Sequence, residues 1–152
     1  MSMQTWQRLD LANEQLETAL TLFLEHRSYA AAITLAGAAE RVLGQELRRR
    51  GEQAVIDWQF EETARVHAAA HRKPLKKRDF TDEQNRVFNA LRHFDEADGP
   101  SFDADLTEAA CWMLVRACDN AHRLGLSLAR FDEFDDWFYT HVVGVGIPYS
   151  IE

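Results

Sequence analysis

The chain has 152 residues, 46% of them hydrophobic and 28% charged, with a formal net charge of −8. That length supports one domain with a real core. Three Pro and seven Gly argue against a turn-rich all-β protein, and the overall acidity argues against bulk affinity for nucleic acid.

Two Cys are too few for a disulfide framework. Cys111 and Cys118 lie seven positions apart on one predicted helix, roughly 10 Å along its axis, which exceeds disulfide reach; buried thiols are expected. The longest mostly apolar stretch, 28–39, is shorter than the ~20 residues that span a bilayer. The first residues contain no apolar leader core. The expectation is a cytoplasmic protein without membrane association.

The charge is unevenly placed. Residues 1–94 hold 14 basic and 13 acidic side chains, whereas residues 95–152 hold 3 and 12. Eight basic residues fall in two clusters, 48–50 and the run containing Arg72, Lys73, Lys76, Lys77 and Arg78. A local phosphate-binding patch is compatible with the acidic total.

Periodicity is helical nearly throughout. Trp6, Leu9, Leu16, Leu20, Phe23 and Leu24 form an apolar stripe that predicts a first helix over about 5–26. Ser28 is placed to cap a second helix over about 29–50, which ends at Gly51. Its run of Ala30, Ala31, Ala32, Ala36, Gly37, Ala38 and Ala39 allows close approach of neighbours and marks it as the central helix. A third helix over about 57–72 stops before Pro74. Thr81 and Gln84 form a capping-box pattern that starts a fourth over about 82–95. An acidic loop follows, and Asp105 or Thr107 caps a fifth helix over about 106–124, with Gly125 beyond it. The last, over about 130–143, sets Phe131, Phe134, Trp137, Phe138 and Val142 against four acids. The expected fold is an all-α, single-domain helical bundle of five to six helices over 1–143, with an irregular tail over 144–152.

The fourth helix carries the densest chemistry. At about 100° per residue, Val87, Leu91 and Phe94 share the core side, with Phe88 beside them. Arg86, Asn89 and His93 share another arc of roughly 60°. A His can exchange a proton near neutral pH, an Arg can hold a phosphate, and an Asn can orient either. On RNA, such a set could activate a ribose 2′-OH against the adjacent phosphate. A polar helix face with no joint task is the alternative.

Other constellations point less clearly to chemistry. In the loop 94–105 an EF-hand register would put Phe94, which cannot coordinate, at the first ligand position. His67 and His71 share a helix face without an intervening Glu. Cys118 and His122 lie on a largely apolar helix. The run 144–146, Gly-Val-Gly, follows no predicted strand, and no Walker loop or nucleophile elbow is present. No metal or cofactor is expected.

The run 86–93, Arg-x6-His on one helix of a bundle, resembles the HEPN superfamily. The stretches 35–43, 89–95, 106–124 and 131–138 are similar, in order, to a group of uncharacterised bacterial helical proteins with an N-x-x-K/R-H motif. The resemblance spans roughly residues 10–140. It implies a homodimer that binds or cleaves RNA, or binds a nucleotide, without metal, in a toxin or defence setting with a protein partner such as an antitoxin. It makes His93 the catalytic His, Arg86 the phosphate-binding Arg and Asn89 an orienting group. Lys76, Lys77, Arg78 and Arg92 are the expected nucleic-acid contacts. In the commoner R-x4-H spacing the Arg position is Phe88 here. Many HEPN domains are not nucleases, so a non-catalytic protein- or nucleotide-binding or dimerisation module is the second expectation.

Overall fold

The computed structural model describes residues 1–144 and contains no strand among them. In chain order the helices are α1 (Arg8–Thr21), extended by a π-helical turn (Leu22–His26), α2 (Tyr29–Arg49), α3 (Val55–His71), α4 (Lys77–Gln84), α5 (Arg86–Arg92), α6 (Leu106–Arg123) and α7 (Phe131–Phe138), the last continued by a second π-helical turn (Tyr139–Val143). The chain is thus an all-α bundle. The tail beyond Gly144, with most of the Gly-Val-Gly run, lies outside the described residues.

The small residues of α2 explain its central place. Ala32, Ala36, Gly37, Ala39 and Gly44 are buried together with Ile33, Leu43 and Leu47. They let α1 approach one side and α6 another, and α5 also packs on α2. Aromatic rings close the end where α7 docks: Phe23 meets Phe134 at 5.6 Å and Trp137 at 4.6 Å, both edge to face.

Helix stops follow the expected glycines. At the end of α2, Gly51 has φ +77°, its N–H donates to the Arg48 carbonyl, and the Glu52 N–H donates to the Leu47 carbonyl. Gly125 repeats this pair of bonds after α6 with His122 and Ala121 as acceptors. Both are Schellman caps. Of the two candidates for capping α6, Asp105 serves: its Oδ1 accepts from the Glu108 N–H at 3.0 Å.

Four local expectations are corrected. Trp6 precedes α1 and is 64% exposed, so it leaves the core stripe. Ser28 occupies the N-cap position of α2, but its hydroxyl makes no capping bond. Thr81 and Gln84 form no capping box, because the helix has already begun at Lys77 and both lie inside it. The predicted fourth helix is two helices, α4 and α5, broken at Asn85 with φ −106° and ψ 9°.

The break re-aims the apolar residues of α5. Phe88 takes the deep position, 3% exposed, while Val87 and Leu91 are half-buried. Phe94 is 77% exposed, because α5 ends at Arg92 and His93 is extended at φ −124°, ψ 137°. Phe88 is seated over Gly37: a Cβ built there would lie 2.4 Å from two ring carbons. Only a glycine lets the ring approach this closely.

Gly37→Ala should therefore lower unfolding free energy by about 1–3 kcal/mol through overpacking, and Phe88→Ala by about 3–5 kcal/mol. Urea denaturation measures both. A neutral Gly37→Ala would refute the close seating of α5 on α2.

Candidate functional site

The placement of α5 depends on buried polar groups beneath it. Arg116, on α6, is 3% exposed. Its Nη2 donates to Asn85 Oδ1 at 2.6 Å and its Nη1 donates to the Gln84 carbonyl at 3.5 Å. One guanidinium thus holds both residues at the α4–α5 break. On its other side Nε lies 3.8 Å from Glu40 Oε1, beyond hydrogen-bond length, and has no acceptor. Burial pushes the Glu40 carboxyl above its usual range, against the pull of Arg116, Arg48 and Arg41. Burial likewise lowers Arg116, opposed by Glu40. Both directions say that lost hydration outweighs the attraction between the two charges.

Asn120, one turn further along α6, is fully buried. Its Oδ1 accepts from the Val55 N–H at 3.0 Å and its Nδ2 donates to the Glu40 carbonyl at 3.3 Å. The first bond satisfies an otherwise orphaned donor at the start of α3. α2, α3, α5 and α6 are therefore joined through Glu40, Asn120, Asn85 and Arg116. None of these four stands out in the sequence as a site residue. The available signal was phase: Arg116 and Asn120 fall between Met113, Ala117 and Ala121 on the apolar stripe of α6, and Glu40 ends the small-residue run of α2.

Above this foundation α5 and the loop 98–102 enclose an open cleft of about 480 Å³. Arg86, Asn89 and His93 all line it, so the residues of the predicted polar arc share one cavity. Arg86 Nη1 donates to the Asp103 carbonyl at 3.1 Å, which steadies the guanidinium without neutralising it. The His93 ring is exposed and makes no hydrogen bond or ion pair among the described residues. Phe94 and Phe102, 77% and 45% exposed, supply two apolar walls. Asp98 lines the cleft too, but one carboxylate oxygen accepts from the Asp95 N–H at 2.8 Å. The arrangement offers a cation, an amide, a titratable ring and two aromatic faces to one ligand.

The other expected contacts lie elsewhere. Lys76, Lys77, Arg78 and Arg92 do not line this cleft. Lys77 pairs with Asp57 at 2.8 Å and Arg78 with Asp82 at 3.6 Å. Asp57 also receives Arg48 Nε at 2.7 Å. Burial draws the Asp57 carboxyl up, but its bonds and charges from Arg48 and Lys77 prevail and hold it below the usual range. Arg49 and Arg50 both hold Glu46, whose carboxyl is lowered to about 2 chiefly by the hydrogen bonds from Arg49 and then Arg50. The cluster 48–50 is therefore occupied internally. Arg92 lies over the Phe88 ring, 4.7 Å from its centroid.

His67 and His71 face each other with ring centroids 4.6 Å apart, and His67 Nδ1 lies 3.2 Å from the Lys73 carbonyl. No third His, Cys, Asp or Glu completes a ligand set with them among the described residues. Cys111 and Cys118 are free and buried, and burial pushes their thiols up to about 11 and about 12. Neither is a thiolate near neutral pH. Among the described residues no helix is long and apolar enough to cross a membrane.

Comparison with protein-family models, with curated proteins and with solved structures gives no match.

The buried cluster makes two measurable demands. Asn120→Ala leaves the Val55 N–H unpaired and should cost about 1–3 kcal/mol in urea unfolding. Because the Glu40 carboxyl sits above its usual 4.5 in the fold, the native state holds that proton longer than the unfolded chain. Its stabilising contribution is then complete below pH 4.5 and lost as pH rises through the raised value. The unfolding free energy of the wild type minus that of Glu40→Gln should fall as pH rises from 4.5 towards neutrality; a flat difference refutes the desolvated carboxyl.

Proposed function

We propose that the chain binds RNA in the cleft of α5 and cleaves it without a metal, acting as a homodimer. The observation that supports this reading is the convergence of Arg86, Asn89 and His93 on one open cleft, with Phe94 and Phe102 as stacking faces for unpaired bases. Arg86 holds the scissile phosphate and the charge that grows on it. His93 takes the proton from the ribose 2′-OH. The 2′ oxygen attacks the adjacent phosphorus, the P–O5′ bond breaks, and the products are a 2′,3′-cyclic phosphate and a 5′-hydroxyl. The departing 5′ oxygen needs a proton, which the protonated His93 of a second copy supplies. The resemblance to HEPN proteins adds a toxin or defence setting, in which a protein partner such as an antitoxin would cover the cleft.

A second reading has its own support. Phe88, at the position of the commoner Arg, is a core residue. The cations at 48–50 and at 77–78 are paired with Glu46, Asp57 and Asp82. Both favour a non-catalytic module that binds a nucleotide or protein partner through the same cleft.

RNA incubated with the wild type in EDTA should yield 2′,3′-cyclic ends. His93→Ala should slow this by about 100-fold or more. No cleavage by the wild type, or equal cleavage by both, removes the nuclease reading; retained RNA binding without cleavage selects the second.

A further inference from the structure

A second large cleft lies apart from the one that holds His93. It measures about 900 Å³ and runs between the segment 5–10 and α2, lined among others by Trp6, Arg8, Asp10, Arg41 and Arg49. Resting on the RNA reading above, we propose that it is a second subsite for the same single strand, joined to the His93 cleft by Arg41 and Arg92 across Phe88.

Charge is the first support. Three guanidiniums, Arg8, Arg41 and Arg49, and two carboxylates, Asp10 and Glu46, line this cleft, a small positive excess in a chain whose total is −8. Glu46 is already held by Arg49 and Arg50. Arg8 and Arg41 are exposed and make no ion pair among the described residues. Such cations are open to phosphates. In contrast, Arg48 and Lys77 are committed to Asp57.

The second support is Trp6. It precedes α1, belongs to no core cluster and is 64% exposed on the wall of the cleft. An indole placed beside unpaired guanidiniums is a stacking platform for a base of any identity.

Continuity is the third. Arg41 lies 5.9 Å and Arg92 4.7 Å from the Phe88 ring centroid. The two heads are thus separated by no more than the sum of those distances. Arg41 also lines the large cleft, while Arg92 directly precedes His93 on the other. Phe88 itself is buried and touches no ligand; it seats the two arginines. Arg8, Arg41, Arg92 and His93 therefore form a track from one cleft to the other. It selects a single strand longer than a dinucleotide, with little preference for sequence.

The test measures binding of 2′-O-methyl RNA, which resists 2′-OH attack, at two lengths: a dinucleotide and an oligomer of about ten nucleotides, a span in the usual range for such grooves. AMP is the third probe. Fluorescence anisotropy is recorded for the wild type, Trp6→Ala, Arg41→Gln and the charge control Lys73→Gln. Trp6→Ala and Arg41→Gln should each weaken the oligomer about fivefold or more. Arg41→Gln should also reduce the slope of log affinity against log salt by about 0.7, and Lys73→Gln should change neither. Unchanged oligomer binding in both variants, with the wild type binding normally, overturns the second subsite and leaves the His93 cleft standing. AMP binding as tight as the oligomer and equally sensitive to both variants overturns the track in favour of a nucleotide pocket. Oligomer binding that depends on Trp6 and Arg41, together with failure of cleavage in EDTA, supports the track while removing the nuclease chemistry. A wild type that binds none of the three probes overturns both readings.

Discussion

The seating of Phe88 over Gly37 fixes where α5 can lie. A ring this close to a helix backbone cannot tolerate a Cβ beneath it, so the two residues specify each other. The contact fixes the rotation of α5 about its own axis. With Phe88 inward, Asn89 and His93 must project along another flank, and Arg86 begins the same helix beside the loop 98–102. The ring also anchors Arg41 and Arg92, whose aliphatic stems leave α2 and α5 and whose heads lie near its faces or rim. A core contact thus determines the positions of polar side chains on two different surfaces.

The buried guanidinium of Arg116 acts on the same helix from below. A charge this deep is costly, and its partner Glu40 is too distant to hydrogen-bond Nε. A pair of apolar residues would fill the space with less penalty. What the guanidinium supplies instead is geometry, because it binds Asn85 and Gln84 at the one place where the chain turns from α4 into α5. Without that turn α4 would run on into α5 as one helix, and the two could not take their separate directions. The polar cluster is accordingly a positioning device for the cleft. Its cost is offset across the bundle by the apolar contacts of α1, α2 and α6.

Much of this architecture was legible in the sequence. The helical periodicity, the small residues of α2, the glycine stops at 51 and 125 and the Asp105 cap all act through local physics and short-range spacing. The failures share a cause. Whether 82–95 is one helix or part of two depends on Arg116, thirty-one positions from Asn85, and local propensity carries no trace of that bond. Thr81 and Gln84 matched a cap pattern, but Phe80 is buried and Lys77 is tied to Asp57, so the helix starts earlier. Helical spacing groups Arg86, Asn89 and His93, and all three line one cleft, although His93 reaches it from an extended residue rather than from a helical turn. Charge clusters were the least informative signal, since sequence cannot distinguish a cation that is already paired from one that is open.

That distinction organises the surface. The densest basic run, 48–50, is spent on Glu46 and Asp57, where it ties the end of α2 to α3 and α4. These pairs are mostly solvent-facing and stabilise little individually, but they remove five cations from outside use once Arg78 and Asp82 are included. The cations left open on the α2–α5 side are sparse and placed singly: Arg8, Arg41, Arg92 and, tethered only by a carbonyl, Arg86. Acids stand beside them as well: the loop that follows α5 sets Asp98 in the wall of the His93 cleft, and four more acids lie on α7. A polyanion laid along α5 would meet a few open cations with Asp98 close by, so only a narrow range of orientations would bring phosphates to the cations and away from the acids. Electrostatics in such a chain act as an orientational filter rather than as general attraction. An acidic total is therefore compatible with an anionic ligand, provided the open cations are few and aligned.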